Sequence, residues 1–308
     1  MLITRYAGSD QEKDLSSPPN CNGLGRVHRF QRSQGPGWPA NPLPIDPASL
    51  WLRGSYGDAM DAEVFQSAIC NWRCWYCYVD FSLLSANPDH SSWLTASELV
   101  DLYEAIPERP RILDLSGGQP DLVPEWVVWM VDDVSARGLA ESTYLWSDDN
   151  LSNDYLWRYL DRSTISRLAG YPNYGRVGCF KGFDRSSFSY NTGAAPELFD
   201  RQFQLMKRLV DFGFDVYGYA TFTAENETTV RQGIVDFLDK LQQEVHPNFP
   251  LRTIPLRIFE YSPTRGRPEN DPAAYRCQEI AAAVWGEQMK KRFPSTVRRK
   301  RIFEHSLT

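Results

Sequence analysis

Apolar and polar positions alternate along this chain in two periods, and the switches between them outline its elements. A β-like run AEVFQSAI (62–69) leads into a short loop. TASELVDLYEAI (95–106) follows with helical spacing, Thr95 and Glu98 standing at capping-box positions. RILDLS (111–116) reads as a buried strand ending at Gly117-Gly118, and PEWVVWMVDDVSARG (124–138) as a helix started by Pro124 and stopped by Gly138. STYLWS (142–147) and RVGCFKGF (176–183) read as strands three and four, with a helix at LSNDYLWRYL (151–160) between them. PELFDRQFQLMKRLVDFG (196–213) places Leu198, Phe199, Phe203, Leu205, Met206, Leu209 and Val210 mostly along one helical stripe. DVYGYATF (215–222), a helix at TTVRQGIVDFLDKLQQEV (228–245), TIPLRIFEY (253–261) and a last helix at 271–293 complete six β-then-α units.

Such alternation predicts an α/β fold with a parallel sheet and crossover helices, either doubly wound or a curved, incomplete barrel. In both, ligands gather at the carboxyl ends of the strands. Residues 1–60 are rich in Gly, Pro, Ser and Asn and predict a loop-rich extension along the surface of a core spanning 61–268. Residues 269–308 then form a C-terminal helix and a basic tail, KKRFPSTVRRKRIF (290–303).

Composition narrows the function. The chain has 308 residues, 42% of them hydrophobic, and ten tryptophans, which is globular composition. A formal charge of −6 argues against a general nucleic-acid binder, the basic tail being a local exception that reads as a solvated end. No apolar run is long enough to span a bilayer and the N-terminus has no signal-peptide core, so a cytoplasmic protein without membrane contact is expected. Four scattered histidines leave no Ser/His/Asp arrangement, which weighs against hydrolysis.

The strand ends carry the polar and reactive residues. Cys70, Cys74 and Cys77 follow strand one, SGGQPDL (116–122) follows strand two, SDDN (147–150) strand three, and Lys181 ends strand four. Three thiolates at spacings of four and three can converge on a cuboidal iron–sulfur cluster, leaving one iron open to an amine and a carboxylate of a small molecule. Zinc would need a fourth ligand, and His90, the nearest, lies beyond a loop. Ordinary core cysteines remain the plain alternative.

Cys70-Asn71-Trp72-Arg73-Cys74-Trp75-Tyr76-Cys77 resembles the CxxxCxxC signature of radical S-adenosylmethionine (radical SAM) enzymes. The resemblance implies a partial (β/α)6 barrel and a [4Fe-4S] cluster held by Cys70, Cys74 and Cys77. S-adenosyl-L-methionine would be cleaved reductively there to a 5′-deoxyadenosyl radical, with an electron donor of flavodoxin or ferredoxin type. Tyr76 would sit against the adenosine. Gly117, Gly118, Gln119 and Pro120 resemble the GGEP motif that meets the SAM amine, with Gln in place of Glu. The remaining motifs resemble the branch typified by pyruvate formate-lyase activating enzyme: Asp148 and Asn150 match its D-x-N turn, and Lys181 its D-x-K turn, where Cys179 replaces the aspartate.

Since residues i and i+2 of a strand share a face, Cys179 is expected beside Lys181 inside the barrel, where its thiol could return hydrogen to a substrate radical. Cys277 is a second such candidate if its helix covers the mouth. The expected function is hydrogen abstraction from a small polar metabolite or natural product, ending in epimerisation or rearrangement. A glycyl-radical-enzyme activase, an RNA- or protein-modifying enzyme and a metal-binding sensory protein are the alternatives. Asp114 is expected to point inward, and Arg257, Arg265 and Arg267 to bind an anion or stay solvated.

Overall fold

A computed structural model describes residues 1–54 and 57–307. In chain order the elements begin with strands β1 (Leu2–Thr4) and β2 (Gly25–Gln31), helix α1 (Ile45–Trp51), β3 (Ala59–Phe65) and β4 (Ser91–Trp93). They continue with α2 (Ala96–Glu104), β5 (Ile112–Leu115), α3 (Glu125–Ala136), β6 (Tyr144–Asp149), α4 (Tyr155–Tyr159) and α5 (Arg162–Ala169). Then follow β7 (Tyr174–Phe180), α6 (Arg185–Thr192), α7 (Phe199–Asp211), β8 (Val216–Ala220), α8 (Val230–Lys240), β9 (Thr253–Pro255), α9 (Pro272–Arg292) and α10 (Ser295–Arg298).

Seven strands form one curled sheet in the order β2-β3-β5-β6-β7-β8-β9. The pairings from β3 to β9 are all parallel, while β2 runs antiparallel along β3. The six parallel strands are those the periodicity predicts, and the result is a partial (β/α)6 barrel. Thr95 and Glu98 form the predicted capping box: the Glu98 amide donates to the Thr95 hydroxyl and the Thr95 amide to the Glu98 carboxylate. Helix α7 buries Phe199, Phe203, Leu205, Met206, Leu209 and Val210 on the outer face of the sheet.

Two features differ from the sequence expectation. The sixth strand stops at Pro255: Leu256 N still donates to the Ala220 carbonyl of β8, and past it the backbone bonds to amide side chains, Arg257 N donating to Gln34 Oε1 and Ile258 exchanging bonds with Gln278. The first 54 residues are also structured. They supply β2 to the sheet, and α1 plugs the bottom of the barrel, where Leu43, Ile45 and Ala48 pack with Tyr144, Trp146, Val177 and Tyr217. The basic tail is docked at the same end, with Ile302 buried and the Phe303 carbonyl bonded to Arg252.

Alternation sorts each strand into an outer face packed by helices and an inner face toward the lumen. On the outer face Arg176, 1% exposed, pairs with Asp149 at 2.8 Å and with Asp121. On the inner face stand Asp114, Asp148, Cys179 and Tyr219, above the apolar plug.

Candidate functional site

The cysteine loop leaves the C-terminal end of β3 and is held from several sides. Gln119 N donates to the Ile69 carbonyl and Cys70 N to the Leu84 carbonyl. From α6, Asn191 accepts from Trp75 twice, through its backbone oxygen at 3.1 Å and its side-chain oxygen at 3.0 Å. From beyond β9, Arg267 Nη1 donates to the carbonyls of Cys74, Trp75 and Cys77 at 3.2, 2.7 and 2.9 Å, and its guanidinium lies 3.8 Å over the Phe81 ring. The Arg267 side chain is therefore a brace for the loop and not a solvated or anion-binding group. Arg265 pairs instead with Glu260 in solvent.

Cys70, Cys74 and Cys77 all line one cavity of about 570 Å³ that runs down into the lumen. Tyr76, Gly118, Asp114, Asp148, Asn150, Cys179 and Lys181 line it as well. Of the residues expected from sequence, the structure thus gathers three cysteines, Tyr76, one glycine, two strand-three residues and both strand-four residues around one space. Asn150 Nδ2 lies 3.7 Å from Cys70 Sγ. Lys181 Nζ stands 5.8 Å from the centre of the Tyr76 ring, whose hydroxyl is buried without a hydrogen bond.

The rest of the GGQP stretch is placed differently. Gln119 is fully buried and both ends of its amide are engaged: Nε2 donates to Asp149 Oδ1 and Oε1 accepts from Asn150 N. It ties the second strand end to the third and is turned from the cavity, as are Gly117 and Pro120. A Cβ at Gly118 (φ +66°) would collide with the carbonyl oxygens of Ser67 and Ile69, so its lack of a side chain lets the turn pass under the cysteine loop. Cys277 is fully buried in the outer core of α9, beside neither the lumen nor its mouth.

The electrostatics follow from enclosure. Burial lifts Asp148 to about 6 against the pull of Lys181 and Arg26, and lifts Asp114 well above the carboxylate range, Asp148 adding to the effect. Burial pushes the Cys179 and Cys74 thiols up to about 12. For Lys181 burial opposes the charge, and Tyr76 together with the neighbouring thiols outweighs it and holds the ammonium form.

The three cysteines that line the cavity offer the thiolates an iron–sulfur cluster usually takes as ligands. Among the described residues no three His, Cys, Asp or Glu side chains converge closely enough on one point to hold one metal ion. A cubane engages each thiolate at a different iron, which fits three sulfurs distributed around a cavity wall.

Residues that the sequence reading passed over complete the site. Arg26, Asn41 and Tyr219 also line the cavity, and Asn191 holds its rim together with Arg267, which was expected to bind an anion or stay solvated. No helix among the described residues is long and apolar enough to cross a membrane.

Comparison with known proteins gives partial likenesses. No family profile matches the chain. It is 28% identical over 214 residues to the protein YfkA of Bacillus subtilis (strain 168), a match covering 63% of this chain and 53% of the relative. The chain therefore spans about half the length of the curated relative it matches. Among solved structures, SuiB of Streptococcus suis bound to S-adenosylmethionine is 17% identical, with TM-score 0.43 over 60% of this chain and 38% of that one. HydG, a maturase of the [FeFe]-hydrogenase, is 13% identical, with TM-score 0.43 over 71% of this chain and 47% of that one. The radical S-adenosylmethionine methyltransferase TsrM from Kitasatospora setae is 15% identical, with TM-score 0.38 over 56% and 32%.

Proposed function

We propose that this chain is a radical SAM enzyme acting on a small polar molecule within the barrel. The observation that carries the reading is the gathering of Cys70, Cys74 and Cys77 with Tyr76, Asp148, Asn150 and Lys181 around one cavity at the strand C-termini. When bound, a [4Fe-4S] cluster with S-adenosylmethionine supplies one-electron cleavage and hydrogen abstraction.

The chain's own residues have separable parts in this. Cys70, Cys74 and Cys77 hold the cluster, and Arg267 and Asn191 keep the loop between them in place. Asp148, Asn150 and Lys181 bind polar groups of S-adenosylmethionine, and Tyr76 offers a ring face to its base. The inward Cys179 holds a thiol hydrogen at the lumen wall. Returning that hydrogen atom to a substrate carbon completes an epimerisation, and the sulfur then takes one electron from a donor protein of flavodoxin or ferredoxin type and one proton from water.

Anaerobic reconstitution with iron and sulfide, followed by dithionite and S-adenosylmethionine, tests the class. Four irons per chain and release of 5′-deoxyadenosine are expected. A chain that takes up zinc and no iron, or a reduced cluster that leaves S-adenosylmethionine intact, would refute it.

A further inference from the structure

One cation in the lumen has no carboxylate in contact with it among the described residues. Arg26 comes from β2, opposite Val64 of β3, and only 5% of its surface is exposed. Its Nη2 donates to the Tyr78 hydroxyl at 3.1 Å, while its Nε has no acceptor. Tyr6, Asp114, Asp148 and Glu63 are its other polar neighbours, but among the described residues none of these carboxylates stands within ion-pair distance of it. Asp114 is similarly incomplete: Oδ2 accepts from Ser116, and Oδ1 has no partner. A buried guanidinium with no carboxylate in contact is costly to keep. Kept in the wall of a cavity, it points to a negative charge supplied by a ligand.

The same segment sets the size of that ligand. Beyond β2 the chain crosses from one edge of the sheet to the other. Gln34 Nε2 donates to the Pro255 carbonyl and Gln34 Oε1 accepts from Arg257 N, both at 2.9 Å. Arg257 Nη1 donates back to the Gln34 carbonyl at 3.0 Å, and Asn41 Nδ2 donates to the Tyr219 hydroxyl at 3.1 Å. The side gap of the partial barrel is thus bridged by residues 33–41, and α1 blocks its floor. The remaining space, about 570 Å³, is of small-molecule size.

We propose that Arg26 anchors the carboxylate of a small substrate inside this closed lumen, on the wall that the N-terminal segment contributes. The guanidinium fork takes two oxygens of a carboxylate or of a phosphate equally well, so charge decides between them, and the singly charged carboxylate fits better. A dianion would also face Asp114 and Asp148 across the same space. Asp114 Oδ1 accepts from a donor group elsewhere on the same molecule. The assignment deepens the reading of this lumen as the reaction site and rests on it for the word substrate. The binding itself needs neither cluster nor S-adenosylmethionine.

The test uses the full chain free of iron and S-adenosylmethionine, melted in acetate, succinate or glutamate and in inorganic phosphate at matched ionic strength. At least one carboxylate is expected to raise the wild-type midpoint by roughly 5 °C near saturation, and phosphate to leave it unmoved. Arg26→Met is expected to melt above wild type without anion and to lose the carboxylate shift. Arg26→Lys, which keeps the charge and folds if Arg26→Met does not, is expected to bind severalfold more weakly. An equal shift with phosphate, no shift with any carboxylate, or a shift unchanged in Arg26→Lys would overturn the proposal. Release of 5′-deoxyadenosine is scored separately: its absence beside an Arg26-dependent carboxylate shift sinks the reaction and leaves the anion site standing.

Discussion

Replacing Arg267 with leucine removes the brace of the cysteine loop without touching a cysteine. Three of its hydrogen bonds, at 2.7 to 3.2 Å, end on the carbonyls of Cys74, Trp75 and Cys77. Hydrogen bonds to a charged donor contribute about 1.5–3 kcal/mol each when shielded. Arg267 is only half-buried, so about 1 kcal/mol apiece is the appropriate scale, giving a loss of about 3 kcal/mol. Leucine also leaves those three oxygens to water, which a loop at the cavity rim admits. For a chain of this length the loss corresponds to a fall in melting midpoint of roughly 6 °C, measurable on the metal-free protein. Proteolysis within residues 70–85 should accelerate, and reconstituted Arg267→Leu should hold less iron and show an altered cluster signal in electron paramagnetic resonance. Arg267→Lys, a point charge that cannot span three carbonyls, should recover less than half of the stability. A leucine variant that melts and reconstitutes as wild type would show that the loop holds its shape unaided.

The remaining predictions concern the lumen, the outer core and pH. Single alanine changes at Cys70, Cys74 or Cys77 should each abolish the reconstituted cluster, whereas Cys179→Ala should retain iron and 5′-deoxyadenosine release while losing solvent-derived hydrogen in product; loss of iron from Cys179→Ala would make that thiol a ligand. Arg176→Met strands Asp121 and Asp149 in the core and should cost about 3–5 kcal/mol in urea unfolding. Burial raises Glu63 to about 7 from an ordinary 4.5, although Asn20 and Cys21 donate to it. The folded chain then keeps a proton that the unfolded chain releases, so stability falls by about 3 kcal/mol between pH 4.5 and 7. Glu63→Gln should flatten that slope, matching wild type near pH 4 and exceeding it at pH 8; parallel pH profiles for the two proteins would refute the assignment.

The sequence was most readable where one face of an element meets a packed core. The stripe of α7 and the buried runs of β5 through β8 follow directly from that contact, and the Thr95–Glu98 cap from its spacing. Strand β2 was invisible for the opposite reason. Its inward positions, Arg26, His28 and Phe30, face a cavity of mixed lining instead of a packed core and so never alternate apolar with polar. The cysteine motif was legible because spacing in a loop is local information. Gln119 misled because a motif position does not say which way an amide turns, and here a neighbouring carboxylate takes it. Arg267 was noticed as a charge but its role was hidden, since its partners are backbone oxygens some 190 residues earlier in the chain.

The Gln34–Pro255 bridge joins points 221 residues apart, and that separation has a kinetic consequence. Closing so long a loop is rewarded only once both ends exist in near-native form, so this contact belongs among the last to form. During synthesis β2 can settle on β3 early, but its outer edge must wait for β9 to leave the ribosome. Until then Arg26 remains hydrated and carries no penalty for its charge. The molecule acquires its buried, unpaired cation at the moment its ring shuts.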